Sequence, residues 1–478
     1  MPATEVRNSP TAPDVEVLFK EAKRLERRRR ILGGIVAIAL VGAVLLGVLL
    51  SSGGTPSTKS LPPKTGNGSR PPVSLSPRVT TAYVVDASGL VPVNLATNQA
   101  GPAITIPGFS YSGSYSNVAV APDGETAYVA IAPVPSHAGL DLAGPALVSI
   151  DLLTRQVEGK ISFPASAVQP GQMGPQASFY IDALAITPNG RTLLVADAGD
   201  NALIPINVAT HAVERQIALP KELPQSSLIK SSSLAGPTYS PRSPAPISDL
   251  VVDPNGRTAY VVVGYAVVPI DLLNGRAERP ITGFDGPQQM AISSSGKTAY
   301  VSNPYCWEII KTGRCQAPPT RPVAEPNGYV QLAAVGDQVS VVDLSHDRIV
   351  RNINVGKGAE PEGVALSPTG STLYITYGKY GRNGEYVGVL DSFTGKTVSL
   401  IKANLESPNT GTSHIAVTPD GNEAFVSGFE AITPGPEGPV VFRGVVPIDL
   451  RAEVAGRAIS FGAPVQYGLS TGKVVFGQ

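Results

Sequence analysis

Tryptophan occurs once, cysteine twice, methionine three times and histidine four times in 478 residues, and only 15% of the chain is charged. Two cysteines allow one bridge at most, so no disulfide framework holds the fold. His211 and His346 fall in turns, His137 lies in an insertion and only His414 stands before the start of a strand, which argues against a three-histidine metal site. No G-x-S-x-G, Walker or Rossmann pattern appears in a strand-to-helix setting. Basic and acidic residues balance at 37 each, but unevenly along the chain. Residues 1–30 hold eight Lys/Arg and five Asp/Glu, residues 51–78 hold four Lys/Arg and no acid, and by subtraction 79–478 hold 25 basic and 32 acidic, net −7. A body of that sign is a poor partner for nucleic acid.

Glycine (50) and proline (45) are plentiful, and they recur in register. The stretch Ala183 to Pro220 reads as four short strands, the first two joined by Pro188-Asn189-Gly190 and the third ending at Asn207. Such a unit cannot bury both faces alone, and copies follow. Equivalent turns stand at Pro122 to Gly124, Pro254 to Gly256, Ser294 to Gly296, Pro368 to Gly370 and Pro419 to Gly421. The end of the third strand is marked by Asn94, Asp151, Asn207, Asp271, Asp343, Asp391 and Asp449, which predicts seven blades. A short acidic or amide side chain there fits an Asx turn, a structural role. Tyr83, Tyr128, Tyr260, Tyr300, Tyr374 and Phe425 recur once per unit and are expected to pack blade against blade. The expected class is therefore all-β, a seven-bladed propeller over 79–478. Gln466 to Phe476 reads as a further inner-strand, turn and second-strand pair. It either closes the ring on the first blade or opens an eighth, and Val73 to Ser76 competes for the same edge.

Residues Ile31 to Leu50 are twenty uncharged, mostly apolar residues. As a helix they span about 30 Å, the hydrocarbon thickness of a bilayer. Arg27 to Arg30 abut this run, so the positive-inside bias puts a basic tail, 1–30, in the cytoplasm and all that follows outside the cell membrane. The run is long for a cleaved leader and no A-x-A site follows, so a single-pass transmembrane signal anchor is expected. Residues 51–78, rich in Ser, Gly and Pro, read as an extracellular linker.

Long insertions occur at Ile131 to Pro145, Ala165 to Tyr180, Lys221 to Ile247, Pro304 to Tyr329, Lys379 to Gly384, Asn404 to Thr412 and Glu430 to Pro439. All join strand two to three or strand four to the next blade, so all emerge on one face, as expected of a binding surface. That face points to an envelope protein, a glycan or a small exported ligand as partner. The residues before each inner strand also reach it: Ser116, Asp182, Ser248, Gln288, Glu362 and Ser413, followed by Asn117, Ala183, Asp249, Gln289, Gly363 and His414. Among them Asp182, Asp249, Glu362 and His414 are candidate acid/base groups. Asp182, Asp249 and Glu362 are candidate ligands for calcium, magnesium or manganese, which take oxygen donors. The bland alternative is a wet channel mouth lined with polar groups. Cys306 and Cys315 bracket eight residues of one insertion and are expected to form a disulfide outside the membrane. Beside them Tyr305 and Trp307 form a candidate aromatic contact for a partner.

The units Gly363 to Gly378, Met290 to Asn303 and Val118 to Ala130, with Val341 to Gly356 as the following segment, resemble the YVTN-type repeats of bacterial and archaeal seven-bladed propellers. That family includes surface-layer-associated proteins and lactonase-like enzymes. For the second branch the resemblance implies metal-assisted lactone hydrolysis at the channel mouth, for which the acidic residues above are the candidates here. The single Trp sets the chain apart from tryptophan-rich quinoprotein propellers, and no blade ends in the W-D of WD40 repeats.

Overall fold

In the computed structural model, residues 80–86, 89–107, 118–131, 146–163, 181–220, 247–306, 334–356, 359–377, 386–403, 414–435, 438–465 and 474–477 are described. They form seven antiparallel sheets, one per blade. The pattern is clearest in blade 3, whose strands Ile181–Ile186, Thr192–Asp197, Ala202–Asn207 and Ile217–Ala218 run outward in chain order. Blade 1 is assembled from both ends of the propeller. Its second and third strands, Thr81–Asp86 and Gly89–Asn94, are joined by the inner strand Val475–Gly477, with Thr81 opposite Gly477 and Tyr83 opposite Val475. The C-terminal segment therefore closes the ring and no eighth blade exists among the described residues.

The core lies between blades. Tyr83 packs with Val118, Ala127 and Val129 of blade 2, Tyr128 with Leu184 and Leu193 of blade 3, and Tyr300 with Val364 and Leu373 of blade 6. Blade 3 carries Leu194 at that place, and it meets Leu250 and Val261 of blade 4 in the same way. Phe425 of blade 7 packs on Ala82 and Val84 of blade 1 and meets Phe476 edge-on with ring centroids 6.0 Å apart. Each such ring, once removed from water, stabilises the pair of blades by roughly 1.5–3 kcal/mol. The turns are stacked as well. A Cβ on Gly190 would touch Pro122 at 3.4 Å, one on Gly256 would touch Pro188 at 3.3 Å, and both glycines have positive φ. Proline in these turns thus also supports the glycine corner of the next blade.

All seven third-strand caps are formed. Asp151 Oδ1 accepts from the N–H groups of Leu153 and Thr154 at 2.8 Å each, Asn94, Asp271 and Asp449 likewise take two turn N–H groups, and Asn207, Asp343 and Asp391 accept from the N–H of Thr210, Ser345 and Thr394. Hydrogen bonds from the Thr154 N–H and hydroxyl hold the exposed Asp151 carboxyl below its ordinary range.

Two expected insertions are partly strand. Glu430 to Pro439 is no loop: Glu423–Gly435 pairs with Gly438–Asp449 up to Gly435 opposite Gly438. Tyr305 and Cys306 likewise continue the strand Thr298–Cys306 opposite Val335 and Ala334, after a shift of register at Asn303. The expectations for 1–30, 31–50 and 51–78, for Trp307 and Cys315, and for the remaining insertions outside their flanking strands, fall outside the described residues.

Candidate functional site

Each inner strand starts at the end of its blade where strands two and three are connected, the end that carries the long connections. The opposite end has only short turns of the Pro188 to Gly190 type and the capped third-strand turns. The candidates Asp182, Asp249, Glu362 and His414 all lie at the first end, around the channel mouth, whereas Ser116, Asn117 and Ser413 are outside the described residues.

Four of the blades are tied together there by side chains. Asp249 is buried, and its carboxylate accepts from Leu250 N–H at 2.9 Å and from Met290 N–H of blade 5 at 3.0 Å. It pins one inner strand to the next. Beside Met290, the buried Gln289 of blade 5 hydrogen-bonds through Nε2 with Nδ1 of His414 in blade 7. Ser302 Oγ donates to the Glu362 carbonyl of blade 6 at 2.6 Å and accepts from Gln289 N–H at 3.1 Å.

Ser302 belongs to a series. The fifth residue of the second strand is Val85, Ala130, Ala196 and Val262 in blades 1 to 4, but Ser302, Thr376 and Ser427 in blades 5 to 7. Thr376 Oγ1 accepts from Gly363 N–H at 2.7 Å and Ser427 Oγ from His414 N–H at 3.3 Å. The hydroxyls take the place of a ladder bond where the inner strand leaves its neighbour. Next to them Asn303 Nδ2 donates to Ser340 Oγ at 3.1 Å, while its buried Oδ1 has no partner among the described residues. Sequence reasoning placed Gln289 at the mouth but missed Ser302, Asn303, Ser340, Thr376 and Ser427. The signal was available as a polar residue replacing an apolar one at a fixed place in three successive units.

Asp182 stands apart from this group, on blade 3. It is half-buried, and its Oδ2 accepts from Ala198 N–H at 2.8 Å. Burial pushes its carboxyl up to about 7, the Ala198 hydrogen bond opposes the change, and the charge of fully buried Asp197 adds to it. Asp197 itself accepts from Gly199 N–H at 2.8 Å. A carboxyl that exchanges its proton near neutrality is suited to general acid/base work. Asp182 with Asp197 thus lies on blade 3, and Asp249, Glu362 and His414 lie on blades 4, 6 and 7. Among the described residues no three of His, Cys, Asp and Glu converge as a metal site.

No protein-family model matches the chain, and no curated protein matches it. Among solved structures it is similar to the periplasmic gluconolactonase of Pseudomonas aeruginosa, at 14% identity over 83% of this chain and 99% of that one, with a TM-score of 0.51. A functionally unknown protein of Desulfotomaculum acetoxidans matches at 13% identity over the same shares with a TM-score of 0.50. A putative 6-phosphogluconolactonase of Bacteroides fragilis matches at 14% identity over 85% and 99%, with a TM-score of 0.49. At these identities the likeness is one of fold.

Proposed function

We propose that this chain is a membrane-anchored extracellular propeller of the YVTN type that binds a partner through the face carrying its long connections. The observation that carries the reading is the division of labour between the two ends of the blades. Connections of strand two to three and of strand four to the next blade occupy 132–145, 164–180, 221–246 and 307–333, whereas the first-to-second turns at the other end are uniform and glycine-cornered. Scaffold turns held constant beside long loops at one end support a single recognition surface. The partner classes that fit are an envelope protein, a glycan or an exported ligand, with Tyr305 at the end of its strand and Trp307 beyond it as aromatic anchors beside a Cys306–Cys315 bridge. Residues 31–50 hold the chain in the cell membrane as a single span with the tail 1–30 in the cytoplasm.

The test replaces 307–333 by a short turn in the full chain and compares capture of envelope proteins and envelope glycans with thermal unfolding. Loss of capture with unchanged unfolding is expected. Equal capture by both forms would refute this placement of the contact.

A second reading rests on Asp182. A carboxyl held near 7 at the channel mouth supports hydrolysis of a lactone-like substrate, the class named for the gluconolactonase of Pseudomonas aeruginosa. In this reading Asp182 moves the proton; calcium, magnesium or manganese would need Asp249 and Glu362 as oxygen donors, and among the described residues these do not converge with a third ligand, so no step is drawn through a metal. Turnover of a simple lactone that is lost in Asp182→Asn, with folding intact, would favour it over the binding reading.

A further inference from the structure

The short-turn end has a pattern of its own. Two residues after the capping Asp or Asn, blades 2, 4 and 6 carry Leu153, Leu273 and Phe393, which are 87%, 85% and 79% exposed. The same place holds Ala96, Ala209, Ser345 and Arg451 in blades 1, 3, 5 and 7. Large apolar side chains scattered singly need no explanation. These three recur at one position of the repeat, on alternate blades, at the outermost point of a turn whose N–H groups the Asp already satisfies. Each is followed two or three residues later by a cation, Arg155, Arg276 or Lys396.

The chain joins the propeller at this same end. The Thr80 carbonyl accepts from Leu95 N–H at 3.0 Å, in the capped turn of blade 1, and Thr81 begins the second strand there. Seventy-nine residues precede that point, and 31–50 are the apolar run. The described chain thus enters the propeller at the end that bears Leu153, Leu273 and Phe393.

We propose that the short-turn face rests on the lipid surface, with Leu153, Leu273 and Phe393 inserted at three points into the boundary between headgroups and acyl chains. The proposal rests on the membrane-anchored reading above. It makes the opposite face, with the long connections, the one presented away from the bilayer. Arg155, Arg276 and Lys396 lie at headgroup level, the usual company of inserted apolar residues, with Arg276 also paired to Glu278 at 2.9 Å and Arg155 also donating to the Pro102 carbonyl. The capping Asp151, Asp271 and Asp391 share these turns, and Asp123, Glu125, Asp347 and Asp420 lie in other turns of the same end, so insertion rather than net charge holds the face down, and the contact should survive high salt.

The test uses the full chain in neutral phosphatidylcholine vesicles, first washed at alkaline pH and then followed by amide hydrogen exchange. The expected result is retention through the wash, with exchange in the turns at 151–155, 271–276 and 391–396 slowed about tenfold or more relative to the equivalent turn at 343–348. In the triple variant Leu153→Ser, Leu273→Ser, Phe393→Ser, that slowing should vanish while retention persists. Retention without slowing would overturn the proposal and leave anchoring in place. Loss from the vesicles in the wash would overturn both. Slowing that disappears when the protein is diluted in the bilayer would mean that a second copy covers this face, and would also overturn the proposal.

Discussion

The buried hydroxyl of Tyr377 shows how far a single residue departs from what its neighbours predict. The side chain ends the second strand of blade 6 in the blade 5–6 core, and its OH has no hydrogen-bond partner among the described residues. Burial drives its pKa well above the ordinary tyrosine value. Gly388 on the adjacent strand accommodates the ring, since a Cβ there would lie 2.6 Å from Tyr377 Cζ. Removing an unpartnered buried hydroxyl relieves its desolvation, so Tyr377→Phe should raise stability by about 1 kcal/mol in denaturant unfolding. A destabilised variant would show that the hydroxyl has a partner in the folded chain. Asp182 gives a prediction of opposite character. Its ordinary value is 3.8 and its folded value about 7. Between these values the folded state holds a proton that the unfolded state has lost, so stability falls as pH rises from about 4 to about 7 and levels off above. Asp182→Asn keeps an acceptor for Ala198 and removes the charge. At pH 8 it should be more stable than the parent by up to about 4 kcal/mol, and at pH 4 nearly equal to it. Equal stability at both pH values would remove Asp182 from consideration as a proton carrier.

At the level of elements, the repeat was legible and the exceptions to it were not. The P-x-G turns and the seven Asx caps were read from residue types alone, because both conformations depend on a few atoms close in sequence. Strand lengths were less legible. Nothing local distinguishes a loop from a prolonged ladder at Phe429 to Phe442, where pairing partners decide. The site was only half visible for the same reason: Asp182, Asp249, Glu362 and His414 could be placed at the mouth by counting, but the bond from Gln289 to His414 crosses 125 residues. The ring-closing strand was the other undecided element. Its partner is now Thr81–Asp86, and Val474 beside it is buried. Deleting 474–478 would leave that strand an open edge and strip Phe476 from Phe425. Calorimetry should then show a melting temperature lower by about 5 °C or more and a broadened transition. An unchanged transition would mean that another segment supplies the inner strand.

Across the whole molecule, one end of the blades carries elaboration and the other carries repetition, chain attachment and a threefold set of exposed apolar tips. Both proposals follow from that polarity, one for each face. It was foreshadowed by the lengths of the connections, since an antiparallel four-stranded blade sends alternate connections to opposite ends. The alternation of Leu153, Leu273 and Phe393 became visible only once their exposure was known. The most direct test of the account is hydroxyl-radical footprinting of the full chain in its native cell envelope against the same chain purified in detergent. The account predicts protection in the envelope at 132–145, 164–180, 221–246 and 307–333, the long connections of one face. Unchanged labelling of all four segments would contradict it, because a recognition surface that nothing occupies in its own membrane is no recognition surface.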